Sequence, residues 1–141
     1  MKADKIYAYI HEMTEAEIIV IDGPTGSGKT RLLNRIKSDT SKTFAKMSSE
    51  EFCSILLEYL HNDTNTLAMA KDRRFKFEIL CIEDIDVMLS NKLESSYCLA
   101  EVAQQLVKSG ASVILTGIDL NKRMTKEFFS KLKGPQYFHL E

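Results

Sequence analysis

Gly23-Pro24-Thr25-Gly26-Ser27-Gly28-Lys29-Thr30 follows the pattern G-x-x-x-x-G-K-[ST] without a departure. The chemistry this spacing can do is to hold phosphate. Its glycines allow a tight turn whose backbone N–H groups converge on anionic oxygens. A helix starting after Gly28 adds the positive end of its dipole. Lys29 is placed to reach the β- and γ-phosphates of a nucleoside triphosphate, and the Thr30 hydroxyl to ligate Mg²⁺. The eight residues from Gly23 to Thr30 are therefore read as a binding loop for ATP with Mg²⁺.

A second group with chemical capacity is Glu83-Asp84, which closes the apolar run Ile79-Leu80-Cys81-Ile82. Adjacent acids at a buried strand end repel one another unless a cation lies between them. With a phosphate loop upstream, one of these acids is expected to complete the Mg²⁺ shell begun by Thr30, and the second to orient an attacking water. Asp86 is near enough to compete but is expected to be exposed. Thr116 ends another apolar run and is placed to meet the γ-phosphate or the water.

These residues need elements to carry them. The β-branched run Glu17–Ile21 reads as a buried strand leading into the loop, and residues 29–38 as the helix leaving it. Thr43–Met47 reads as a second strand. Ser48-Ser49-Glu50-Glu51 then forms a capping box opening a helix that carries Phe52, Ile55, Leu56 and Tyr59. Further strands are expected at Phe77–Ile82, Ser112–Thr116 and Tyr137–Leu140. Helices are expected over 3–13, 93–108 (stopped by Ser109-Gly110) and 121–132 (stopped by Gly134-Pro135). Strands alternating with helices give an α/β fold with a parallel sheet, and ligands bind at the carboxyl ends of such strands. The candidate residues all fall at those ends.

The 141-residue length suits one domain, residues 1–141. With 44% hydrophobic and 28% charged residues, the composition is that of a folded globular chain rather than a disordered one. A net charge of −1 creates no general attraction for nucleic acid or an anionic membrane, so such contacts must be local. Cys53, Cys81 and Cys98 are spaced neither for a metal nor as a CxxC pair, and free thiols suit a reducing compartment. No apolar run approaches the ~20 residues of a membrane span. The expected location is cytoplasmic.

Taken together, these segments resemble the ATPase domain of bacterial replication initiators of the DnaA type, members of the AAA+ class. Besides the loop, the resemblance rests on Met47-Ser48-Ser49-Glu50-Glu51-Phe52, on Ile82-Glu83-Asp84-Ile85-Asp86 and on Val113-Ile114-Leu115-Thr116, in that order. It implies a three-layer P-loop fold with a five-stranded parallel sheet. Glu83 then stands at the metal-linked acid of the Walker B strand and Thr116 at sensor 1. Ser130-Lys131-Leu132 resembles the family's Ser-Arg-Phe, which puts Lys131 at the arginine-finger position. The chain departs from the pattern in having Glu83 for Asp, Gly117-Ile118 for the polar pair after sensor 1, and Lys131 for Arg. It is also expected to lack the helical lid and the DNA-binding domain.

The resemblance implies a role in DNA replication or its regulation, with weak or partner-dependent ATP hydrolysis. Alternatives are a helicase-loader-like or initiator-regulating ATP-binding protein and a small-molecule P-loop kinase. Implied partners are a second copy or another AAA+ protein. Lys71, Arg73, Arg74 and Lys76, interleaved with Phe75 and Phe77, lie where the family contacts single-stranded DNA, although a solvated charged surface accounts for them as well.

Overall fold

The computed structural model describes residues 3–62, 65–91, 93–123, 126–132 and 134–141. Among them, five strands form one sheet: β1 (Ile18–Asp22), β2 (Phe44–Ser48), β3 (Ile79–Glu83), β4 (Ser112–Gly117) and β5 (Gln136–His139). The order across the sheet is β2-β3-β4-β1-β5, and every pairing is parallel. Eight helical segments accompany it: α1 (Ala3–Glu12), α2 (Lys29–Asp39), α3 (Ser49–His61), α4 (Thr66–Ala70), α5 (Ile85–Asn91), α6 (Leu93–Lys108), α7 (Leu120–Arg123) and α8 (Lys126–Lys131). No helix among the described residues is long and apolar enough to cross a membrane.

Both faces of the sheet are covered, because each central strand is apolar on both sides. On β1, Ile19 and Ile21 join Ile6 and Ile10 of α1 and Leu32, Leu33 and Ile36 of α2 in one core. The alternate residues Ile18 and Val20 face the larger core, with Phe52 of α3, Met69 of α4 and Leu99 of α6. The result is three layers, α/β/α. Residues that pair across parallel strands share a face, so register decides which polar side chains can meet.

Local chemistry sets the element ends. Ser48 Oγ accepts from the Glu51 N–H at 3.1 Å and caps α3. Glu51 Oε1 lies 3.5 Å from the same Ser48 hydroxyl. On the outer face α1 docks on α2 through the Tyr7 hydroxyl on Asp39 (2.7 Å), Arg35 on Asp4 (2.7 Å), and the Arg35 guanidinium 3.8 Å from the Tyr7 ring centre. In the stretch 62–76, where the sequence shows no helical period, α4 and a 3₁₀ turn at Arg73–Phe75 bury Met69 and Phe75 against α3 and α6. The segment 121–132 is two short helices, and residues 124–125 between them lie outside the described residues.

Candidate functional site at the carboxyl edge of the sheet

The carboxyl ends of β1, β4 and β3 stand side by side. Ile21 pairs with Thr116 and Asp22 with Gly117; on the other flank Ile82 pairs with Leu115. Thr116 and Glu83, one residue further on, therefore close adjacent strands. Thr116 shares its face with Ile21, and Glu83 shares its face with Cys81. Both face the α1–α2 layer. The first turn of α2 supplies Lys29 and Thr30 to that layer.

The loop from Gly23 to Thr30 has the backbone its sequence requires. Gly26 and Gly28 take left-handed φ values of +82° and +98°, which L side chains adopt only at a cost. Gly28 is also the N-cap of α2 and offers no side-chain cap, so the helix begins with unsatisfied N–H groups. Gly23 is required for space: a Cβ there would lie 2.4 Å from the Leu140 carbonyl oxygen and 2.8 Å from Ser27 Oγ. Ser27 Oγ is buried and has no hydrogen-bond partner, an uncommon state for a hydroxyl. Pro24, Thr25, Gly26 and Thr30 are exposed along the loop's outer rim.

Lys29 folds back over its own loop and donates to the carbonyls of Gly23 and Pro24, the latter at 3.0 Å. Burial is the largest influence on its ammonium and lowers its pKa; Asp22, Asp84 and Asp86 act in the opposite sense without reversing it. Lys29 thus shares an electrostatic neighbourhood with three carboxylates. Glu83 is half-buried and Asp84 exposed, with the latter's backbone in the left-handed region at φ +60°. That turn sends the chain from β3 directly into α5. Among the described residues no three His, Cys, Asp or Glu side chains cluster to hold a metal unaided. Mg²⁺ commonly takes one or two protein ligands and completes its shell with phosphate and water.

Two carboxylates have positions the sequence does not announce. Asp86 is half-buried rather than exposed, and its Oδ1 accepts from the Ile118 N–H at 3.2 Å. The acid falls on the inner side of the first turn of α5, which the sequence pattern does not reveal as a helix. Asp22 is wholly buried at the root of the loop. Its Oδ1 accepts from the Leu120 N–H at 3.0 Å, and its Oδ2 from the Tyr137 hydroxyl at 2.5 Å with His139 Nδ1 at 3.6 Å. Burial alone would raise the Asp22 pKa. Hydrogen bonds from Tyr137, Leu120 and Asn121, with the charge of His139, outweigh it and hold the carboxyl below its ordinary value. A signal was available in the alternation of Tyr137 and His139 on β5, two polar side chains beside a strand otherwise buried along its length.

The other candidates lie apart. Lys131 ends α8, with its ammonium 4.3 Å from the centre of the Tyr97 ring on α6. The basic group Lys71, Arg73, Arg74 and Lys76 precedes β3, at the opposite edge of the sheet from the loop. Arg74 is held by Asp72 at 2.8 Å and Glu58 at 2.6 Å, while Phe75 is buried in the core and unavailable for stacking on a base. Lys71, Arg73 and Lys76 remain exposed.

Solved structures of the same fold include DnaA from Aquifex aeolicus bound to AMPPCP. It has a TM-score of 0.72 and 19% identity over 98% of this chain and 45% of that one. Domain III of DnaA from Thermotoga maritima has a TM-score of 0.70 and 19% identity over 99% and 59% of the two chains. The DnaC helicase loader has a TM-score of 0.60 and 15% identity over 97% and 86%. The chain thus spans less than half the length of the Aquifex protein. No curated protein sequence matches it. The family model described as the bacterial DnaA ATPase domain matches residues 4–135, a span that holds the phosphate loop, the acids after β3 and the β4 strand end. On that match the chain belongs to the bacterial DnaA ATPase domain family, within the AAA+ class.

Proposed function

We propose that this chain binds ATP with Mg²⁺ at the loop Gly23–Thr30 and hydrolyses it slowly unless a partner completes the site. The observation that carries the reading is the Gly23–Gly28 turn itself, with its left-handed glycines, uncapped helix start and buried, unpartnered Ser27 hydroxyl. Such an arrangement is costly in an idle turn and suits one that surrounds phosphate oxygens.

In this reading the N–H groups of Thr25, Gly26, Gly28, Lys29 and Thr30 bind the phosphates, the Ser27 N–H being donated to the Pro24 carbonyl. Lys29 leaves the Gly23 and Pro24 carbonyls to pair with the β- and γ-phosphates. Thr30 and Glu83 hold Mg²⁺, which supplies charge neutralisation between phosphates when bound. Asp84 orients the water and Thr116 faces the γ-phosphate. Lys131, which ends α8 with its ammonium over the Tyr97 ring, acts on the nucleotide of a neighbouring AAA+ subunit. Lysine lacks the planar fork of arginine, whose finger contributes about 10³–10⁵ in rate, and this substitution supports slow turnover. Residues 1–141 act as one nucleotide-binding domain in this scheme.

The proposed setting is replication initiation or its control, and a helicase-loader-like role would use the same site with a different protein partner. Single-stranded DNA, if bound through the basic group, would meet Lys71, Arg73 and Lys76, with Arg74 already engaged. Titration with a fluorescent ATP analogue, with and without Mg²⁺ and repeated for Lys29→Ala, tests the binding. Saturable binding lost in the variant is expected; equal affinity in both proteins overturns the reading. Turnover is then followed with and without single-stranded DNA, and brisk hydrolysis by the chain alone would contradict the slow-turnover part.

A further inference from the structure

The turn after β4, residues Gly117–Leu120, is held from both sides by carboxylates. From the α5 side, Asp86 Oδ1 accepts from the Ile118 N–H at 3.2 Å. From the β1 side, Asp22 Oδ1 accepts from the Leu120 N–H at 3.0 Å. The Gly23 N–H also donates to the Gly117 carbonyl at 3.2 Å, so the turn touches the first residue of the phosphate loop as well. Between the two carboxylates the backbone takes a left-handed step at Asp119, φ +53°. A four-residue turn with these ties cannot shift without breaking one of them.

Gly117 now has a physical explanation. A Cβ there would lie 2.9 Å from Asp86 Oδ1 and 2.6 Å from Leu120 Cδ2. The glycine that replaces a polar residue after Thr116 is the one that lets the Asp86 carboxylate come close to the backbone.

We propose that Asp86 is a positioning residue for Thr116, fixing the Gly117–Leu120 turn so that Thr116 stays aligned with the phosphate loop, and that Asp22 braces the same turn from β1. Asp86 sits three positions after Glu83 on the first turn of α5, so a change at the acid-bearing strand end is passed to β4 through a single side chain. The inference rests on the proposed nucleotide binding and concerns how the site recognises the γ-phosphate.

The test compares Asp86→Ala with Asp86→Asn, which keeps an oxygen for the Ile118 N–H. Affinities for ATP and ADP with Mg²⁺, and amide exchange at Ile118 without nucleotide, are measured for both. Asp86→Ala is expected to weaken ATP by about tenfold, the size of one lost buried hydrogen-bond partner, and to leave ADP within about twofold. It should also speed exchange at Ile118, and Asp86→Asn should restore both readings. Gly117→Ala, which displaces the Asp86 carboxylate sterically, should reproduce the selective loss of ATP if Asp86→Ala folds poorly. Equal loss of ATP and ADP, or no loss of either, overturns the inference while the binding reading stands. Failure of the unaltered chain to bind any nucleotide overturns both.

Discussion

Asp22 and Tyr137 lie 115 residues apart in the chain and meet at the root of the phosphate loop, where the tyrosine hydroxyl donates to Oδ2 at 2.5 Å. The carboxylate they share with Leu120 is fully buried. A buried charge is tolerated only when its lone pairs are satisfied, so this one joins β5, β1 and the turn after β4 into a single support. The loop stands on that support.

Removing the hydroxyl alone measures its worth. Tyr137→Phe leaves Asp22 Oδ2 short of its nearest donor, and the expected loss is about 1–3 kcal/mol of unfolding free energy. Urea denaturation reads it directly. A variant as stable as the parent would show that the contact contributes little.

Acid should drain stability through the same residue. The folded chain holds the Asp22 carboxyl below its ordinary value of about 4, so the unfolded chain takes up the proton first. The contribution is complete above about pH 4 and disappears as pH falls through the folded value. Asp22→Asn should therefore be less stable at neutral pH, with a denaturation midpoint that changes less between about pH 5 and pH 3. Parallel acid limbs for the two proteins would contradict this.

The alkaline side has its own reporter. The Tyr9 hydroxyl donates to Glu17 Oε1 at 2.6 Å, and that hydrogen bond, aided by burial and the nearby charge, raises the phenol to about 12. An unfolded tyrosine ionises near pH 10, so this contribution is full below about 10 and is lost as pH climbs towards the folded value. Tyr7, Tyr59 and Tyr137 are raised as well, so tyrosinate absorbance should show several phenols titrating late in the parent and one fewer of them in Tyr9→Phe.

Three glycines of the loop should answer differently to alanine. At Gly26 and Gly28 a methyl meets nothing within 4 Å, and the cost is that of the left-handed backbone, about 1–2 kcal/mol each. At Gly23 the obstacle is a backbone carbonyl that cannot rotate away. Gly23→Ala should therefore lower the thermal midpoint more than either of the others, although its backbone φ is ordinary. Equal shifts at all three positions would refute the steric account.

The parts of this molecule legible in the sequence are those whose signal is local. Four apolar residues ahead of Asp22, and four ahead of Glu83, mark buried strands, and the loop declares itself by spacing. What escapes is whatever depends on distant partners. Asp22 draws no notice in the sequence because its donors come from Leu120 and Tyr137, far along the chain. Asp86 reads as exposed because α5 is short and has no apolar repeat long enough to see. Met69 and Phe75 lie in a short stretch with no clear period, and only the packing of α3 and α6 makes them core.

The position of β5 also bears on how the protein is made. Leu140 donates its N–H to the Asp22 carbonyl at 2.6 Å, and β5 pairs with β1 along Ile19–Asp22. A ribosome that has released the phosphate-loop sequence still holds the strand that seats it. Until β5 emerges, β1 has one bare edge, and the Asp22 carboxylate lacks its tyrosine. Domains generally mature as whole units during synthesis, and here a segment made early in the domain is among the last of it to acquire its shape.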